Sequence, residues 1–183
     1  NNYSAAPAVV RTVRAGLANQ VGFTLTVPSG VTFGATGTAS TSGGSGGGAV
    51  TYSAGSSTGC TIDANTGVIT VTDASGTCDI TATKAGDSNY NAASDGPKSV
   101  ALSPASQTIT FAQPTSPAAY GATFSIAPTA SSGLTVTVVA TGGCSLAVLT
   151  VTMTSATVSC TITASQAGNN NYLAATDVVR TVA

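Results

Sequence analysis

The sequence has no glutamate, no histidine and no tryptophan, and only 6% of its 183 residues carry a charge. A typical soluble domain is about a quarter charged. General acid–base catalysis draws on His, Glu or a tuned Asp, so two of its three usual suppliers are missing. A cysteine nucleophile would lack its histidine partner. The composition argues against an enzyme and leaves no candidate catalytic residue and no expected cofactor. Five cations (Arg11, Arg14, Lys84, Lys98 and Arg180) against six aspartates give a net charge of -1. That balance offers no electrostatic footprint for nucleic acid or an anionic membrane. No apolar run approaches the roughly 20 residues that span a bilayer, so no membrane insertion is expected. Helical periodicity is missing too, because Gly, Pro or a Thr-rich alternation interrupts every candidate. There is no signal peptide and no initiating Met. The chain reads as a mature or excised piece whose export signal lies upstream.

Metal and sugar sites are poorly supplied. Calcium asks for six to eight oxygen ligands, several of them carboxylates. Asp63 with Asn65, or Asp87 with Asn89, offers only a fragment of such a set, and turns are the expected role. With no His and no CxxC spacing, no zinc site is expected. Of the nine aromatics, Phe23, Phe33, Tyr52, Phe111 and Phe124 fall in expected strands and cores. No exposed platform for a glycan can be assembled from the rest. An intramolecular isopeptide bond is closed to the second half, which has no Lys. Asn2-Tyr3-Ser4 fits an N-glycosylation acceptor.

What the chain does have is hydroxyls, repeats and paired cysteines. Ser and Thr make up about 30% of the residues and take over the solubilising work of charge. Asn170 to Val182 (NNYLAATDVVRTV) restates Asn1 to Val13 (NNYSAAPAVVRTV) with few differences, and Asp87 to Val100 is a more diverged third copy. Recurrence of this kind marks tandem units. The expected organisation is residues 1–14 as the closing strand of a preceding repeat, 15–102 as a first repeat and 103–183 as a second. The chain thus reads as a slice of a longer array. The cysteines fall one pair to a repeat, Cys60 with Cys78 and Cys144 with Cys160. They are read as two intradomain disulfides, which implies an oxidising, extracellular compartment.

Period-two alternation dominates both repeats, as in Cys78-Asp79-Ile80-Thr81-Ala82-Thr83 and Cys160-Thr161-Ile162-Thr163-Ala164-Ser165. Apolar residues hold one parity and polar ones the other, as half-buried strands require. In the first repeat the expected strands are Gly22–Val27, Val31–Thr38, Val50–Ser53, Thr61–Ile62 with Val68–Thr72, Cys78–Thr83 and Lys98–Leu102. In the second they are Gln107–Phe111, Thr123–Ala127, Leu134–Val139, Leu146–Met153 (one strand or two), Val158–Ser165 and Val178–Val182. About seven short strands with frequent turns predict an all-β fold, two tandem antiparallel β-sandwiches. The run Ser42 to Gly48 is read as an exposed, mobile inter-strand loop. Gly86 and Gly168 are expected to supply positive φ in the closing loops. Tyr90 and Tyr172 are expected to fold over the ends of their own sandwiches with the hydroxyls hydrogen-bonded, beside Asn89 and Asn171. Asp87 and Asp95 are placed in a loop.

Three pieces resemble the bacterial immunoglobulin-like repeats of large secreted and cell-surface proteins. They are Ser106-Gln107-Thr108-Ile109-Thr110-Phe111 followed by Tyr120-Gly121, then Ser132-Gly133-Leu134-Thr135-Val136, and the closing run Ile162 to Ala175. The hairpin Ile62 to Ile69 also resembles one common in extracellular sandwiches. The resemblance implies a stalk, adhesin or fibre role at the cell surface or in secretion. The expected partners are neighbouring repeats or copies of the same protein, with any glycan or protein ligand unspecified. Two uses follow. The modules form a semi-rigid spacer, or they are filament subunits joined by β-strand addition. For the second use the candidate strand-pairing segment is Ala8-Val9-Val10-Arg11-Thr12-Val13.

Overall fold

The computed structural model describes residues 1–183, in which the alternating sequence becomes eighteen short strands and no helix. The first module contains β1 (Thr24–Thr26), β2 (Gly30–Thr32), β3 (Thr36–Thr38), β4 (Ser40–Ser42), β5 (Val50–Ser53), β6 (Cys60–Ile62), β7 (Val68–Val71), β8 (Asp79–Lys84), β9 (Ala93–Ser99) and β10 (Ala101–Ser103). The second contains β11 (Ile109–Thr110), β12 (Thr123–Ser125), β13 (Thr129–Ala130), β14 (Thr137–Gly142), β15 (Cys144–Ala147), β16 (Thr150–Met153), β17 (Cys160–Ser165) and β18 (Val178–Val182). Each module is a small antiparallel sandwich. Its two sheets are ordered β3-β7-β6 and β5-β8-β9 in the first, β12-β16-β15 and β14-β17-β18 in the second. The pair β1–β4 and the parallel pair β2–β10 flank the first sandwich, and β11–β13 flanks the second.

The alternation is what builds the two cores. Ile80 and Ala82 of β8 turn inward against Ile69 and Val71 of β7, with Leu25 between the layers. Ile162 and Ala164 of β17 meet Val151 and Met153 of β16 in the same way. Each fully buried Ile, Leu, Val or Met side chain among these contributes roughly 1.5–3 kcal/mol. The intervening threonines face outward, where a β-branched hydroxyl suits a wet sheet face. Both disulfides form, Cys60–Cys78 and Cys144–Cys160. Each runs from the edge strand of one sheet to the central strand of the other, or to the residue just before it, so it staples the layers together.

A late strand of each module also holds that module's opening segment. Lys98 of β9 donates to the Leu25 carbonyl, while the Asp95 carboxylate accepts from the Leu25 N–H at 2.6 Å and pairs with Lys98 at 3.0 Å. Arg180 of β18 grips the Phe111 carbonyl through two nitrogens, at 2.9 and 2.7 Å. Three of the five cations are thus explained or constrained by position, because Lys84 ends β8 beside the glycine-rich loop.

Several expectations need correction. Val31–Thr38 is two strands, broken at Phe33-Gly34, where Gly34 has φ 81°. Phe33 therefore sits in a turn rather than a strand. Leu134–Val139 shifts to Thr137–Gly142, because pairing with β17 fixes the register from Thr137↔Ser165 onward. The strand near Lys98–Leu102 starts at Ala93 and takes in Asp95, which lies in β9 and not in a loop. Ser42 to Gly48 is exposed in part but tied down. Gly47 donates to Asp87 at 2.8 Å, Gly44 to the Val21 carbonyl at 3.0 Å, and Ser45 accepts from Val21. Gly86 lacks positive φ. Its reason is close approach, since a Cβ there would stand 2.7 Å from the Tyr90 carbonyl oxygen. Gly168 does have φ 79°.

Candidate functional site

The closing loop of each module is built by one Asx turn. Asn169 Oδ1 accepts from the Asn171 and Tyr172 N–H groups at 2.9 and 3.0 Å, and Asp87 Oδ1 accepts from Asn89 and Tyr90 at 2.8 and 2.9 Å. A short side-chain carbonyl or carboxylate suits this task because it reaches its own backbone two and three residues on. A glutamine then anchors the loop from the opening segment. Gln107, buried, donates to the Leu173 carbonyl at 2.7 Å and to Gln166 at 2.8 Å. Gln20 does the same to the Asn91 and Ala85 carbonyls. Reciprocal backbone bonds complete the clasp, Ala105 with Asn171 and Leu173 in one module, Ala18 with Asn89 and Asn91 in the other.

In the second module this loop reaches across to the first. The Asn171 amide oxygen accepts from the Ala74 N–H at 2.8 Å, and its nitrogen donates to the Thr72 carbonyl at 3.4 Å. The Tyr172 ring meets Phe33 edge to face, with centroids 5.4 Å apart and planes at 75°. Asn170 lies close enough to Asp73 to favour its charged carboxylate, after the larger effects of the Ser75 hydroxyl and N–H. Phe33 and Thr72–Ala74 belong to turns at the pole where the chain leaves the first module, since the Phe33 N–H bonds the Ser103 carbonyl. The covalent connection is short, because Ser103 still belongs to β10 and Ala105 already bridges Tyr172. A brief tether, two amide hydrogen bonds and a T-shaped ring pair join the modules. Such a pair contributes about 0.5–1.5 kcal/mol beyond its buried area.

The predicted residues separate accordingly. Asn171 and Tyr172 come together at the junction. Asn89 and Tyr90 form the same loop on the first module, where the Asn89 side chain has no hydrogen-bond partner and the Tyr90 ring has no aromatic one. Tyr172 does not fold over its own sandwich, and neither Tyr90 nor Tyr172 hydrogen-bonds through its hydroxyl. Phe33, Thr72 and Ala74 were not legible as junction residues; the signal was the Phe33-Gly34-Ala35-Thr36 run, which matches Tyr120-Gly121-Ala122-Thr123.

Ala8–Val13 pairs with no strand, and Val9, Val10 and Val13 are each at least 80% exposed. A cleft of about 600 Å³ lies elsewhere, between the segment Phe111–Ala118 and the edge strand β12. The acidic turns are occupied by their own backbones. Asp63 accepts from the Thr66 N–H, the Thr66 hydroxyl and the Asn65 N–H, which holds its carboxyl below the usual range. Asp87 is held low by Asn89 and Gly47. Nowhere do three His, Cys, Asp or Glu side chains gather, and no helix is long and apolar enough to cross a membrane. No family model matches the chain, and no curated protein matches its sequence.

Proposed function

We propose that this chain is a structural extracellular module: two immunoglobulin-like sandwiches stacked as a semi-rigid spacer within a bacterial secreted or cell-surface, adhesin-like protein. The observation that carries this reading is the junction, where Asn171 and Tyr172 of one module clasp Ala74, Thr72 and Phe33 of the next. A spacer needs its units held at a fixed angle, and a short connection reinforced by polar and aromatic contacts does that where a flexible linker would not. The two disulfides suit an oxidising environment outside the cytoplasm. The hydroxyl-rich surface with few charges suits a part that separates other domains and does no chemistry itself. Small-angle scattering from the purified chain tests the reading. One fixed arrangement of the two modules should fit the curve, and a need for a broad ensemble of arrangements would contradict it.

A second reading, a filament subunit joined by β-strand addition through residues 1–14, draws support from the unpaired, exposed Ala8–Val13. The cleft beside the edge strand β12, lined by Phe111, Phe124 and Ile126 together with Gln113, Thr123 and Ser125, is the acceptor this reading would use. Strand addition uses such an unpaired edge together with pockets for alternate side chains. Deleting residues 1–14 separates the two: polymers that vanish on deletion support the filament, and an unchanged monomer rules it out.

A further inference from the structure

The second module carries its own copy of the pole that receives Asn171 and Tyr172, and that copy is unoccupied within the chain. Tyr120 stands where Phe33 stands. Each ring sits on a turn closed by the same bond, Ala35 N–H to the Thr32 carbonyl and Ala122 N–H to the Ala119 carbonyl, both 3.0 Å. Each turn pivots on a glycine of nearly equal φ, 81° at Gly34 and 79° at Gly121. The polar half of the pole is duplicated as closely. Thr72 and Asp73 both donate to the Gly59 carbonyl, at 2.8 and 3.2 Å, and Thr154 and Ser155 both donate to the Gly143 carbonyl at the same two distances. Asp73 folds its turn by accepting from Ser75 at 2.9 Å, and Ser155 folds the matching turn by accepting from Thr157 and Val158. Ala156 then occupies the position of Ala74. The Ala74 N–H is taken by Asn171, whereas the Ala156 N–H has no acceptor in the chain. Tyr120 is 71% exposed.

The complementary half is present at the other end. The loop Asp87–Tyr90 has the same Asx turn as Asn169–Tyr172, and the Asn89 amide is free. We infer that the pole formed by Tyr120, Thr154 and Ala156 is a docking site for the Asn89–Tyr90 loop of a second copy of this chain, joined head to tail. Asn89 Oδ1 would take the Ala156 N–H, its Nδ2 the Thr154 carbonyl, and Tyr90 would meet Tyr120 edge to face. Where the internal junction sets Asn170 beside the Asp73 carboxylate, the new one sets the Ser88 hydroxyl beside that of Ser155. This inference rests on the tandem-module reading and gives it a specific end-to-end contact. Such an interface is heterologous and leaves a free donor and a free acceptor at every stage.

Sedimentation velocity tests it at protein concentrations near 1 mM, about the effective concentration that a short tether supplies in the internal junction. The wild-type chain should grow in mass with concentration, and Tyr120→Ala and Asn89→Ala should each weaken this by about tenfold or more, as loss of an anchoring contact does. Neither substitution threatens the fold, since one ring is exposed and the other side chain is unbonded. Mixing the two variants should restore association that stops at a dimer, because one supplies an intact pole and the other an intact loop. A wild-type chain that stays monomeric, or association unmoved by both substitutions, overturns the inference. In that event the spacer reading still stands if the two modules tumble together, and falls separately if they do not.

Discussion

Phe33 and Tyr172, one from each sandwich, meet edge to face with their centroids 5.4 Å apart. Neither ring is committed to its own core alone, so the pair has an energetic identity that can be measured. In a double-mutant cycle over Phe33→Ala and Tyr172→Ala, the coupling should be about 0.5–1.5 kcal/mol. Chemical denaturation of the second module in the presence of the folded first module reads it. A coupling indistinguishable from zero would mean that the rings are neighbours without being partners.

Each disulfide should stabilise its own sandwich. The closed loops span sequence separations of 18 and 16 residues, for which the chain-entropy estimate is about 3 kcal/mol each. Replacing Cys144 and Cys160 by Ser should lower the denaturant midpoint of the second module and leave the first nearly unchanged, with Cys60 and Cys78 giving the mirror result. Equal losses in both modules from either pair would show that the two fold as one cooperative unit.

Acid should act on the first module. Four carboxyls lie below their ordinary range there: Asp63 through the Thr66 N–H, Asp73 through the Ser75 hydroxyl, Asp87 through the Asn89 N–H, and Asp95 through the Leu25 N–H and then Lys98. A folded-state value below the unfolded one means that the stabilisation is present above about pH 3.9, the unfolded aspartate value. It is lost as pH falls through the lower folded values. The first module should therefore hold its melting temperature down to about pH 4 and lose it below, before the second, which contains none of the four. Simultaneous acid unfolding of both modules would contradict this assignment.

Much of the architecture follows from period two. The alternation in β8 and β17 places Ile80, Ala82, Ile162 and Ala164 inside, and the hydroxyl parity outside, without any tertiary information. What sequence could not supply was register and reach. Leu134–Val139 has the right pattern, yet pairing with β17 moves the strand to Thr137–Gly142. Asp95 looks like a loop residue until Leu25 arrives to use its carboxylate. The closing loop is legible as a repeated motif, but that Tyr172 leaves its own sandwich for Phe33 depends on how the modules stack. Nothing local to Asn-Asn-Tyr encodes that.

One turn carries visible strain. Val148, in the tight connection between β15 and β16, has φ 57° and is 93% exposed. A β-branched residue is poorly suited to the left-handed region, and the side chain gains nothing from burial. Val148→Asn or Val148→Gly should raise the stability of the second module by about 1 kcal/mol, read as a higher thermal midpoint. A lower midpoint would show that the valine makes a contribution its exposure conceals.

The claim on which the spacer reading depends is that the two modules share one fixed orientation. Residual dipolar couplings from backbone amides of both sandwiches, measured on the whole chain in one alignment medium, address it most directly. The account predicts a single alignment tensor that fits both modules, and a split into two tensors when Asn171 and Tyr172 are both replaced by Ala. Two distinct tensors already in the wild-type chain would contradict it.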